Sequence, residues 1–212
     1  MYRLILVSTM LLLLGACSSN PSVSEFQCKA GDWESVGYRD GASGMRNTEI
    51  LAHQEACGEY GIVPDRSLYI SGWEAGLQEY CTVENGFNQG QRGVRLNPIC
   101  QGAQKHEFAN AYNDGRKLYL ARHEVNRIRN QLDHHDRRLV YLKKRMVEVT
   151  AAQLNPTLTA EQRINMLADL DALKDERNTI LDAIPILEEE LYYREIELEQ
   201  VNQELAQLDY GY

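Results

Sequence analysis

The chain has 212 residues and a net charge of -9, so its overall electrostatics give no ground for binding nucleic acid. An apolar share of 43% is enough for a packed core. Fifteen glycines and five cysteines are spread unevenly, and their placement divides the chain.

Residues 1–16 read as a leader. Arg3 is the basic n-region and Leu4 to Leu14 an apolar run too short for a comfortable permanent span. Leu14-Gly15-Ala16-Cys17 then has the form of a lipobox, which makes Cys17 the lipidated first residue after cleavage. Ser18, not aspartate, follows it, and by analogy with Gram-negative sorting this directs the protein to the periplasmic face of the outer membrane. Residues 17–27 form the lipidated cysteine and a polar tether.

Residues 28–104 hold the other four cysteines, Cys28, Cys57, Cys81 and Cys100. In an exported chain an even number argues for two disulfides, each worth about 3 kcal/mol to a domain with a small core. The expected pairing is sequential, Cys28 with Cys57 and Cys81 with Cys100. A zinc site through His53 and Cys57 is the sharper alternative, disfavoured because no C-x-x-C pair accompanies it. An aromatic-x-x-Gly unit recurs at Tyr38–Gly41, Tyr69–Gly72, Phe87–Gly90 and Tyr112–Gly115. As turns, such units suit short β-hairpin repeats. As helices, Gly37/Gly41 and Gly72/Gly76 each share a face, beside a seam of Tyr69, Trp73, Leu77 and Tyr80. Pro64-Asp65 as a helix start and the lack of an alternating apolar run favour helices at about 33–44, 46–60 and 65–81. Asn85-Gly86 and Asn97-Pro98 read as turns. If the first two helices pair antiparallel, Cys28 and Cys57 fall at one end, and Cys81–Cys100 staples the glycine-rich loop before the next helix.

The order Cys28, Asp32-Trp33, Gly37, Asp40-Gly41, His53, Cys57, Pro64-Asp65, Tyr69, Gly72, Gly76-Leu77, Tyr80-Cys81, Gly86-Phe87, Gly90, Cys100, Phe108, Tyr112 and Gly115-Arg116 resembles one known family. It is the bacterial lipoprotein family catalogued as domain of unknown function 2799. The resemblance covers about residues 26–122 and implies a Gram-negative envelope lipoprotein, with no catalytic residues to carry over.

Residues 105–209 read as a helix folded back on itself. Leu118, Val125, Leu132, Leu139 and Met146 recur every seven residues, each followed after three by Ala121, Ile128, His135, Leu142 or Val149. The same spacing runs from Leu170 to Leu208, after a turn at about 153–159 in which Thr159 and Gln162 form a capping box. A reversal at Pro156 sets Leu142 against Leu170 and Leu132 against Ile180, and brings His135 and Arg177 into one polar layer. The outgoing arm is basic and the returning arm acidic, so each prefers the other to its own copy. Pro185 is expected to kink the returning arm.

The expected fold class is therefore all-α: a disulfide-stapled glycine and aromatic domain followed by a long antiparallel coiled-coil hairpin. Asp32, Asp40, Asp65 and His53 could supply acid/base chemistry, but Asp32 and Asp65 have simpler work as helix caps. With no serine elbow, phosphate loop or metal-ligand cluster, the expectation is a non-enzymatic envelope protein without cofactor or metal. It meets the membrane through Cys17 and an envelope protein through the hairpin. An intramolecular hairpin predicts a monomer, and exchanged arms a dimer. The alternative is a ligand or glycan module with Trp33, Trp73, Tyr69 and Phe87 as stacking platforms.

Overall fold

A computed structural model describes residues 22–208 and 210. The leader and Cys17 lie outside them. Among the described residues the elements are helical and no strand occurs. They are α1 (Glu25–Ala30), α2 (Trp33–Ala42), a 3-10 turn (Asn47–Glu49), α3 (Ile50–Gly58), α4 (Arg66–Tyr80), α5 (Val83–Gln91), α6 (Gly102–Ala152) and α7 (Ala160–Leu205). Side-chain caps mark the starts: Asp32 accepts from the Ser35 amide, Asp65 from Ser67 and Leu68, and Thr82 from Asn85. The Thr159–Gln162 capping box opens α7, which continues through Pro185. Contacts divide the chain into two units. One runs to Cys81 and includes Ile99–Gln101; the other holds Thr82–Pro98 and everything from Gly102. The expected boundary near 104 falls inside the second.

In the first unit, α2 packs on α4 through glycine. A methyl group on Gly37 would overlap the carbonyl of Tyr69, and one on Gly41 that of Trp73. In return Gly72 lies against the carbonyl of Glu34 and Gly76 against that of Tyr38. Contacts advance together along both helices, so the pair is parallel. This corrects the expectation that the first two helices pair. The partner of α2 is α4, and α3 lies in the crossover that a parallel pair requires. The reason lies in the glycines: α2 and α4 each carry two at a spacing of four, whereas α3 has none within its span before Gly58.

The second unit builds the same pair from α5 and the start of α6. A methyl on Gly90 would overlap the Tyr112 carbonyl, and one on Gly115 that of Phe87. Thus Asn85-Gly86, expected as a turn, lies inside a helix. Tertiary contact outweighs the poor helix propensity of glycine, which is roughly 1 kcal/mol per residue. Both leading helices end alike, on Gly44 at φ +70° and Gly93 at φ +72°, with the rings of Tyr80 and Tyr119 packed across them.

Both disulfides follow the expected pairing, with Cα–Cα distances of 5.5 Å for Cys28–Cys57 and 5.6 Å for Cys81–Cys100. Each joins a residue just ahead of a glycine pair to the segment crossing between that pair's helices. Farther along the second unit, Leu118, Val125, Ile128, Leu142 and Val149 of α6 are buried, as are Ile180 and Leu205 of α7. All seven belong to the heptad positions read from sequence. Arg138 pairs with Glu176 at 2.6 Å and Arg127 with Glu190 at 2.8 Å, each linking α6 to α7.

Gly76→Ala must push α4 away from the backbone of α2, so it should destabilise the oxidised protein by about 3 kcal/mol or more. Gly58→Ala, at a helix end with open space around it, should be neutral or stabilising by up to about 1 kcal/mol. Urea denaturation of both variants compares the two directly. Similar losses at both positions would remove the close-contact account.

Candidate functional site

The polar cluster of the first unit starts from its crossover. His53 sits on α3 one turn before Cys57, and the disulfide to Cys28 fixes that end of the helix. The ring is only 3% exposed and points onto α2 and α4. Its Nε2 lies 2.7 Å from Asp40 Oδ2, and its Nδ1 lies 2.8 Å from the Ser22 hydroxyl. The fully buried Tyr69 donates its hydroxyl to the same Asp40 oxygen at 2.7 Å. A carboxylate taken from water needs such donors, and here it has two.

The electrostatics follow from that geometry. Burial, the largest single influence on Asp40, pushes its pKa up, but the hydrogen bonds from His53 and Tyr69 outweigh it. The nearby charges of His53 and Arg39 add to them, and the carboxyl titrates below the ordinary carboxylate range. Burial raises the Tyr69 hydroxyl, and its bond to the Asp40 carboxylate raises it further. With Asp40 ionised, the His53 Nε2 facing it carries a proton and donates to the carboxylate. Serine, histidine and aspartate in contact order can activate a nucleophile. A second role is tied to this fold: the cluster fastens the crossover helix to the pair. At the corresponding places of the second unit stand Gln89 and Phe108, and there the crossover carries no helix. The cluster is present where a crossover helix needs fastening.

Of the residues singled out from sequence, the structure joins Asp40, His53 and Tyr69 and leaves Asp32 and Asp65 apart as helix caps. Ser22 was hidden in what reads as a tether, and no sequence signal marks it. Trp33, Trp73, Tyr69 and Phe87 are all buried, at 3%, 6%, 0% and 1% exposure, so they present no stacking platform. Trp73 instead donates its indole N–H to the Met45 carbonyl at 2.8 Å. Cys57 is bridged to Cys28, which removes the zinc reading. Among the described residues no three metal-ligating side chains converge. In the second unit, Nδ1 of His135 and Nε of Arg177 are buried without a hydrogen bond, while an outer nitrogen of Arg177 reaches Asn178 at 3.0 Å. Beside Arg177 an apolar groove of about 780 Å³ runs along Leu139, Met146, Val147, Leu154 and Leu181.

Residues 32–117 match the family described as a protein of unknown function, DUF2799. The matched segment begins at the N-cap of α2 and ends shortly after Gly115, so it takes in both glycine pairs and their crossovers. Most of α6 and all of α7 lie outside it. No curated protein and no solved structure matches the chain.

The cluster has a pH signature. Because the folded pKa of Asp40 is depressed, its stabilisation is present above the unfolded value of about 3.9 and is lost as pH falls through the lower folded value. Because Tyr69 is raised, its contribution is complete below about 10 and is lost as pH rises beyond it. Asp40→Asn should therefore flatten the acid limb of the urea midpoint against pH. Tyr69→Phe should flatten the alkaline limb and cost roughly 1–2 kcal/mol near neutrality. An acid limb unchanged in Asp40→Asn would show that this carboxylate carries no linkage.

Proposed function

We infer that the protein is a non-enzymatic envelope lipoprotein, a structural or protein-interaction module that carries an antiparallel coiled-coil hairpin into the periplasm. The anchor is the lipid on Cys17, and the location is the periplasmic face of the outer membrane. The observation that carries this reading is the surface of α6 and α7. Their shared seam buries Val125, Ile128, Leu142, Val149 and Ile180 and is flanked by cross-helix ion pairs, yet a second apolar row stays in solvent. Val140, Val147 and Leu154 are 71%, 63% and 82% exposed at a spacing of seven, and they run beside the groove near Arg177. A two-stranded coil needs only its seam. Apolar residues on the flank suit one more helix in the bundle. The basic and acidic arms satisfy each other, which favours a folded hairpin over like arms of two copies.

Two experiments test this reading. Cys17→Ser should move the protein from the membrane fraction to the soluble periplasm, and retention at the membrane would remove the anchor. Reversible crosslinking in the native envelope should capture a discrete partner with the parent chain. Val147→Asp with Leu154→Asp should abolish the capture, and because both side chains are exposed the fold is kept. The same crosslinks from both proteins would leave the hairpin as a spacer only.

A further inference from the structure

The two glycine pairs correspond position by position. Gly37, Gly41 and Gly44 have Gly86, Gly90 and Gly93 as counterparts. A methyl group on Gly41 would crowd the amide nitrogen of Leu77, and one on Gly90 that of Arg116. The indole of Trp73 bonds the carbonyl of Met45, and the hydroxyl of Tyr112 that of Val94, both at 2.8 Å. Among the described residues, the second pair has its outer face covered within its unit and the first does not. In the second unit Val83, Phe87 and Ala111 lie under Leu198, Val201 and Leu205 at the end of α7. Tyr210 stacks on Phe87 at 4.6 Å and bonds Asp114 through its hydroxyl. The same face of the first unit is Glu34, Tyr38, Gly72 and Ala75. It is an open groove of about 410 Å³, completed by Ser35 and Arg39. Phe87 is 1% exposed and its counterpart Tyr38 43%.

We propose that this groove docks an amphipathic helix of another protein, seated as the end of α7 is seated on the second pair. The floor of Gly72 and Ala75 lets a helix approach closely, and the Tyr38 ring offers the surface that Phe87 offers Leu205 and Tyr210. The lining differs at three places: Glu34 stands where the second pair has Val83, Arg39 where it has Asn88, and Ala75 where it has Asp114, so the partner of the Tyr210 hydroxyl has no counterpart. The incoming helix therefore presents an aliphatic row at the spacing of Leu198, Val201 and Leu205, edged by an acid opposite Arg39 and a base opposite Glu34. A second copy cannot supply its α7 end without breaking its own Phe87–Tyr210 stack. The occupant is thus a different chain, and this holds whether or not the hairpin has a partner.

The probe is a fluorescent peptide with the sequence of residues 194–212, which contains the Leu198, Val201, Leu205 and Tyr210 that cover the corresponding face. It is titrated into the full chain and followed by anisotropy. Saturable binding is expected, weakened by about tenfold or more in Ala75→Trp and less strongly in Tyr38→Ala. Both sites are exposed, so an unchanged thermal melt verifies the fold. No saturable binding up to about 1 mM overturns the proposal. Binding indifferent to Ala75→Trp also overturns it, because the peptide is then only exchanging into the second pair. Self-association of the full chain that Ala75→Trp abolishes would make a second copy the occupant, and overturns the assignment to a different protein.

Discussion

The contact on which the structure depends is backbone against backbone. At Gly37, Gly41, Gly72 and Gly76, and again at Gly90 and Gly115, a helix offers a bare Cα to a carbonyl of its neighbour. Close approach brings many weak contacts into range at once, including Cα–H to carbonyl contacts. It also fixes where the large side chains go. With no room between the axes, the rings of Trp73, Tyr80, Tyr112 and Tyr119 move to the flanks. There two of them bond the carbonyl that follows each helix end, and the other two cover a left-handed glycine. A single methyl group at these positions undoes a whole pair.

Parallel packing creates the next requirement. Two parallel helices need a connection that returns along their length, and such a connection is itself a weak point. A disulfide ties down each crossover, and the first crossover adds a helix held by His53 on Asp40 and Tyr69. The buried charge is tolerable because both of its donors are in place before any solvent is needed. The second unit, with a shorter crossover, has Phe108 and Gln89 in those places and no charge to bury. It has instead the end of α7 laid across its outer face, which the first unit lacks. One architecture thus carries two different additions, and the difference between them is where binding and stability diverge.

The segment matched to the DUF2799 family contains both pairs and stops before most of α6. Its glycines and aromatics are accounted for by packing and its cysteines by stapling. What it leaves for recognition is surface: the Tyr38 face of the first unit and, beyond the matched segment, the apolar row of α6.

Local chemistry made much of this legible from sequence. Heptad spacing located the buried positions of α6 from Leu118 onward and those of α7, because a helix of known pitch leaves little choice of face. The Thr159 box and the caps at Asp32 and Asp65 were read from neighbours a few residues apart, whereas the sequential disulfides were expected from a helix pairing that the structure replaces. The recurring aromatic-x-x-Gly unit also pointed to helices with glycine faces. Which helices share those faces was decided only in three dimensions. A glycine says that something comes close, but not what, and α2 passes over its neighbour α3 to reach α4. For the same reason Asn85-Gly86 looked like a turn, since propensity weighs the isolated chain and the contact with Phe108 does not exist there. His53 could be linked to Cys57 by spacing alone. Its bonds to Asp40 and Ser22 depend on a crossover folding back across 13 and 31 residues of chain, and no local rule carries that far.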